Sequence, residues 1–210
     1  MTWQQALARV ARPARYTGHE WNSACRAWNA AAVRLALAFP DVYEIGMSNL
    51  GLQILYDLVN RREDMLADRV FAPWIDMEAE LRSLGLPLLA LETGRPLADF
   101  DFVGFSLQYE LNFTNVLNML DLAGLPLRTE ERTDAHPLVI AGGSGALNPE
   151  VLADFIDLFI LGDGEEALPE LLELYRTAQW DRSRSAREGR LSFLREAAKL
   201  EGVYDPSLYQ

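Results

Sequence analysis

Four runs of almost unbroken apolar residues constrain the fold of this chain more than any other feature: VRLALAF (33–39), FDFVGFSL (100–107), PLVIAGG (137–143) and DLFILGD (157–163). A strand with one face in water alternates apolar and polar residues; a strand covered on both faces does not need to. RVFAPW (69–74) reads as one more short strand, and LPLLALE (86–92) as a further extended piece. Between them, SNLGLQILYDLVN (48–60) places Leu52, Leu55, Leu58 and Val59 on one helical face behind a Ser/Asn cap. DMEAELRSLG, ELNFTNVLNMLDLAG and EEALPELLELYRTA continue the helical pattern, the second closing on Gly124. Buried strands alternating with amphipathic helices make a parallel sheet with helices on both faces. The expected architecture is α/β: a flavodoxin-like (Rossmann-like), doubly wound, five-stranded parallel sheet over residues 33–178. An N-terminal arm (1–32) precedes it, packed across the sheet through Trp21 and Trp28, and a linker or helical extension (179–210) follows.

In a doubly wound sheet the ligand sits outside the carboxyl ends of the strands, where the strand order reverses. Four loops fall there: FPDVYEIGMSNLG after the first strand, SLQYELN after the middle one, then GGSGALNP and LGDGEE. In LVIAGGSGALNPE (138–150), Gly142, Gly143 and Gly145 carry no side chain, so another group can approach the backbone closely. The same glycines also suit a plain strand-to-helix turn. They fit neither a Walker A loop nor the G-x-G-x-x-G dinucleotide fingerprint, which disfavours a generic nucleotide-binding Rossmann domain. A phosphate-accepting receiver domain needs an Asp ending the third strand and a Lys ending the fifth, but Ser106 and Gly162 stand near those places. The first loop brings two acids and bulky side chains where a flavodoxin carries a hydroxyl- and glycine-rich phosphate loop, which argues against FMN.

At 210 residues and 50% hydrophobic, the chain is long enough for one well-buried core with extensions. No run reaches the roughly 18 apolar residues of a membrane span, and the first residues lack the apolar segment of a secretion signal. A lone cysteine, Cys25, forms no internal disulfide and supplies no cysteine-rich metal site. The expected setting is cytoplasmic, away from membranes. Charge is uneven: residues 35–175 hold seven Arg against 25 acids, whereas residues 1–34 hold five Arg against one Glu. An acidic body repels phosphate backbones, so nucleic acid is not an expected partner. The basic arm is expected to lie against that body or a neighbouring domain.

The segments PDVYEIGMSNLGLQILY, DRVFAPWIDME, DFVGFSLQYELNFTNVLNML and PLVIAGGSGALNPEVLADFIDLFILGDGEEALPELL, in that order, resemble the N-terminal cobalamin (B12)-binding-type domain of a family of radical SAM proteins. PARYTGHEWNS and LEGVYDPSLY resemble that family's lead-in and its connection to the radical SAM barrel. The family's C-x-x-x-C-x-x-C motif is absent here. The resemblance therefore implies an N-terminal accessory domain without catalysis of its own. Its partner is its own radical SAM domain, which holds the [4Fe-4S] cluster and S-adenosylmethionine; a homo-oligomer is a further possibility.

The resemblance also implies a site. Gly142 and Gly143 match the Gly-Gly of methionine-synthase-type cobalamin domains and Ser106 matches their serine, while Gln108 stands where a Leu is expected. The lower-ligand histidine after the first strand is missing. Asp134-Ala135-His136 has the D-x-H spelling but precedes a strand, so His136 reads as a strand-entry residue. His19 lies in the arm. The implied cofactor contacts are Tyr43, Met47 and Ser48 of the first loop, Ser106 and Gln108 of the second, Gly142, Gly143 and Ser144 of the third, and Gly162 and Gly164 of the fourth. Two readings stay open. One is a domain that binds cobalamin without a lower histidine; the other is a degenerate domain that binds no cofactor and serves as a docking or substrate-presenting module.

Overall fold

The structure, a computed structural model, describes residues 2–21, 23–24, 26–178 and 187–209; Cys25 and residues 179–186 lie outside the described residues. Strands β1 (Val33–Phe39), β2 (Met65–Phe71), β3 (Phe102–Ser106), β4 (Leu138–Gly142), β5 (Leu158–Ile160) and β6 (Val203–Tyr204) form one sheet in the order β2-β1-β3-β4-β5-β6. The first five run parallel, in the 2-1-3-4-5 order of a flavodoxin-like sheet. The sheet has six strands where five were expected, because β6 pairs antiparallel with β5. Two residues are too short to announce a strand. Their pairing depends on Gly202, whose φ of +76° brings its carbonyl to the Leu161 N–H at 2.7 Å. LPLLALE forms no strand beyond a single bridge between Leu89 and Pro96.

The helices are α1 (Trp3–Leu7), α2 (Tyr43–Met47), α3 (Leu50–Asn60), α4 (Ile75–Leu84), α5 (Phe113–Leu122), α6 (Gly164–Thr177) and α7 (Glu188–Ala197). On one face of the sheet, Leu35, Leu37, Phe102, Leu138, Ile140 and Leu158 pack against α3, α6 and α7. On the other, Ala36, Val103, Phe105, Val139 and Phe159 pack against α4 and α5, with α1 of the arm laid on α4. This two-sided burial is the reason the strands need no alternation. Trp28 does pack, edge-on to Phe100 with ring centres 5.0 Å apart. Trp21 does not: it is 96% exposed. The rest of the arm packs through Ala6, Val10, Trp3, Leu7 and Tyr16, and its arginines pair with the body, Arg9 to Glu80 at 3.1 Å and Arg12 and Arg15 to Glu44 at 2.9 and 2.8 Å.

α7 is anchored through a buried ionic cluster. Asp157 lies between Arg132 and Arg190, all three essentially without solvent contact, and it also accepts the Val139 N–H at 2.7 Å. Asp134 accepts the Arg190 backbone N–H at 2.7 Å.

A second polar cluster caps the outer edge of β2. The Arg69 carbonyl accepts the Leu91 N–H and the Arg69 N–H donates to Glu92 Oε2, each at 2.8 Å. Asp68 accepts the N–H groups of Glu92 and Thr93. Burial, then the contact with Asp68, push the Glu92 carboxyl up to about 9, with Arg69 pulling the other way. A carboxyl raised on folding binds a proton that the unfolded chain releases. Its contribution is therefore complete below its unfolded value of about 4.3 and fades as pH climbs toward 9. Urea midpoints should fall between pH 5.5 and 8.5, and Glu92→Gln should flatten that slope. A slope equally steep in both proteins would assign it elsewhere.

Candidate functional site: a glycine-rimmed cleft at the carboxyl edge

The strand order reverses between β1 and β3, and there the sheet opens a cleft of about 290 Å³ between α3 and α6. Its floor is apolar: Leu35 and Leu37 of β1, Ile140 of β4 and Ile160 of β5. Gly104 of β3 lies among them, opposite Leu37 and Ile140, and a Cβ there would stand 3.2 Å from Leu35 and 3.4 Å from Ile140. Leu55 of α3 and Leu168 of α6 line the sides. The volume lies at the lower end of the roughly 300–1,000 Å³ usual for small-molecule pockets. That is room for one ring system and a sugar, not a macrocycle.

The rim is polar and bare. Ser106 ends β3, and its Oγ accepts a hydrogen bond from Gln108 Nε2 at 2.9 Å. Gly142 faces Ile160, and a Cβ there would make ordinary contacts of 3.5–3.6 Å. Gly143 is different: its φ is +94°, and a Cβ would fall 2.5 Å from the Leu107 carbonyl oxygen. Glycine is thus demanded at 143 by the backbone and permitted at 142 by the space. Gly162 turns the chain out of β5 with φ +100°, and Gly164 opens α6 beside Leu55. Asp163 and Glu165 bring negative charge to the mouth, and among the described residues no Lys, Arg or His lines the cleft.

The structure therefore brings Ser106, Gln108, Gly142, Gly143, Gly162 and Gly164 together around one cleft. Ser144 stands just outside the lining and donates from Oγ to the Gln108 carbonyl at 2.9 Å, tying the second loop to the third. Tyr43, Met47 and Ser48 lie elsewhere. Tyr43 packs edge-on to Phe71 and donates to Glu20 at 2.9 Å; burial and that bond push its hydroxyl up to about 12. Met47 Sδ lies 3.3 Å from an Arg69 guanidinium nitrogen, and Ser48 Oγ donates to the carbonyls of Glu44 and Ile45. His136 precedes β4, at the end opposite Gly142, with Nδ1 accepting the Thr133 N–H at 3.0 Å.

Of the lining residues that were not singled out from the sequence, Gly104 and Asn49 bear most on the cleft's shape and polarity. Gly104 had a signal, since a glycine inside an apolar strand marks a close approach. Asn49 had a weaker one: it caps α3, accepting the Leu52 N–H at 2.8 Å, which leaves its amide hydrogens for the cleft. A larger recess of about 500 Å³ lies under the arm beside β2, lined by Trp3, Tyr16, His19 and Glu92. It is away from the switch point, and its chemistry is that of the arm contact and the β2 edge cap. Among the described residues no group of His, Cys, Asp and Glu is placed to hold a metal ion, and no helix is long and apolar enough to cross a membrane.

A parallel-dominated sheet of six strands, with a glycine-rimmed cleft where the strand order reverses, places the chain in the doubly wound α/β class. Residues 51–206 match the family described as radical SAM proteins, N-terminal, and the chain belongs to that family. No curated protein matches the chain.

Proposed function

We propose that this chain is the cobalamin-binding-type accessory domain of a radical SAM protein, and that its cleft takes the nucleotide tail of the cofactor. The observation that carries the reading is the cleft itself: an apolar floor under a bare glycine rim at the switch point of the sheet. The fit is to the tail alone. The apolar floor would suit a flat base, and the bare glycine rim would let a sugar approach the backbone. No histidine among the described residues lines the cleft, so the chain itself offers cobalt no lower imidazole there. When bound, such a cofactor would supply a methyl-carrying cobalt, and this chain's own residues would hold the tail and exclude water from the floor. The [4Fe-4S] cluster and S-adenosylmethionine belong to the radical SAM domain, which is the partner in this reading.

A second reading, docking without a cofactor, draws on the exposed apolar side chains of the same edge. Leu50, Ile75, Leu111 and Leu147 are each more than 70% exposed, in the segments after β1, β2, β3 and β4, the first two opening α3 and α4. Such a rim suits contact with another domain. Retention of hydroxocobalamin through gel filtration, read by visible absorbance, separates the two. The wild-type chain should retain it and Gly142→Leu should lose at least about tenfold in affinity with an unchanged circular dichroism spectrum, a loss of about 1.4 kcal/mol. Equal retention would remove the cleft from the reading, and no retention by either chain would leave docking alone.

A further inference from the structure

We infer that Gln108, held by Ser106, makes the cleft select nucleotide tails whose base carries a paired donor and acceptor, as adenine does, over a benzimidazole. This rests on the tail-binding reading above. Gln108 is fixed by its surroundings. Its carbonyl accepts from Ser144 Oγ at 2.9 Å, the preceding Leu107 N–H donates to the Gly142 carbonyl at 2.8 Å, and Leu107 O accepts the Gly145 N–H at 3.0 Å. A Cβ on residue 143 would stand 3.2 Å from Gln108 Nε2, so the glycine leaves the amide its place.

The hydrogen-bond count then decides what the amide can read. A primary amide has two N–H donors and one carbonyl acceptor. One N–H goes to Ser106 Oγ. No hydrogen bond among the described residues engages Gln108 Oε1, so the amide keeps one N–H and its carbonyl for a ligand in the cleft. A donor and an acceptor on one amide can answer the amino group and N1 of adenine, the edge left free when the sugar is carried on N7. The Asn49 amide hydrogens and the Ser106 hydroxyl add donors around the same space. Dimethylbenzimidazole has a ring nitrogen acceptor and no donor; seated against this amide it strands a polar group. A site built to hydrogen-bond discriminates strongly against the analogue that cannot answer it.

The test compares three probes on the wild-type chain: adeninyl-cobamide, cobalamin, and tail-less cobinamide, by absorbance titration. Adeninyl-cobamide should bind about tenfold tighter than cobalamin, a difference of about 1.4 kcal/mol, and both tighter than cobinamide. Gln108→Leu should erase or reverse the preference, read as the ratio of the two affinities, with its circular dichroism spectrum unchanged. Gln108→Glu, nearly isosteric but without the N–H donors at neutral pH, should also lose it, which guards against a folding defect in the leucine variant. Equal affinity for the two tailed probes in the wild type, or a preference unchanged by both substitutions, overturns the inference while tail binding stands. If cobinamide binds as well as the tailed probes, the tail-binding reading fails first and this inference with it.

Discussion

Asp157→Ala should cost the folded chain about 3–5 kcal/mol, the loss seen when one partner of a buried ionic cluster is removed. Domains of this kind have only about 5–15 kcal/mol in total. The carboxylate is 1% exposed between Arg132 and Arg190, and without it two guanidiniums are left together in the interior. Urea unfolding followed by circular dichroism reads the loss directly. Asp154→Ala breaks the half-exposed pair with Arg128 and should cost less than about 1 kcal/mol. Similar losses in the two variants would contradict the burial argument. The same cluster has an acid limit. Arg190 and Arg132 overcome desolvation and hold the Asp157 carboxyl below its ordinary value. Its stabilisation is therefore present above the unfolded value of about 3.9 and disappears as pH falls through the folded one.

Gly143→Leu should unfold or severely weaken the protein, on the order of 3 kcal/mol, from a strained positive φ together with overlap of the new Cβ on the Leu107 carbonyl. Gly142→Leu, one residue away, should leave the melting temperature within a few degrees because its Cβ meets only ordinary contacts. The adjacent glycines thus separate folding from binding. Equal melting temperatures for the two variants would refute the backbone assignment.

Legibility followed the range of the interactions. Four of the five parallel strands were readable because burial on both faces writes itself into consecutive residues; the second was read at 69–74 but runs from Met65 to Phe71, because its buried Asp68 and Arg69 break the apolar run. The carboxyl-edge loops followed from topology. Gly142 and Gly143 were readable as a gap, but not as two different kinds of glycine, because φ is not visible in composition. Trp21 and Trp28 both looked like anchors by residue type, and only Trp28 packs, by its place opposite Phe100. Tyr43, Met47 and Ser48 belong to the right loop, but the short turn of α2 carries them toward Glu20, Arg69 and their own backbone. β6 and the Glu92 cap depend on contacts between residues more than 20 positions apart, which no local pattern announces.

Those two features share a consequence for how the molecule meets others of its kind. An open sheet invites further strands at its margins, the route by which folded domains fuse into fibres or exchange segments. One margin here is covered where Leu91 and the Glu92 carboxyl group occupy the outward-facing groups of Arg69, and the other ends in a strand of two residues. Little backbone is left for a stranger to zip onto. Association is thereby directed to side chains, and at the carboxyl edge Leu50, Ile75, Leu111 and Leu147 are the apolar ones held outward.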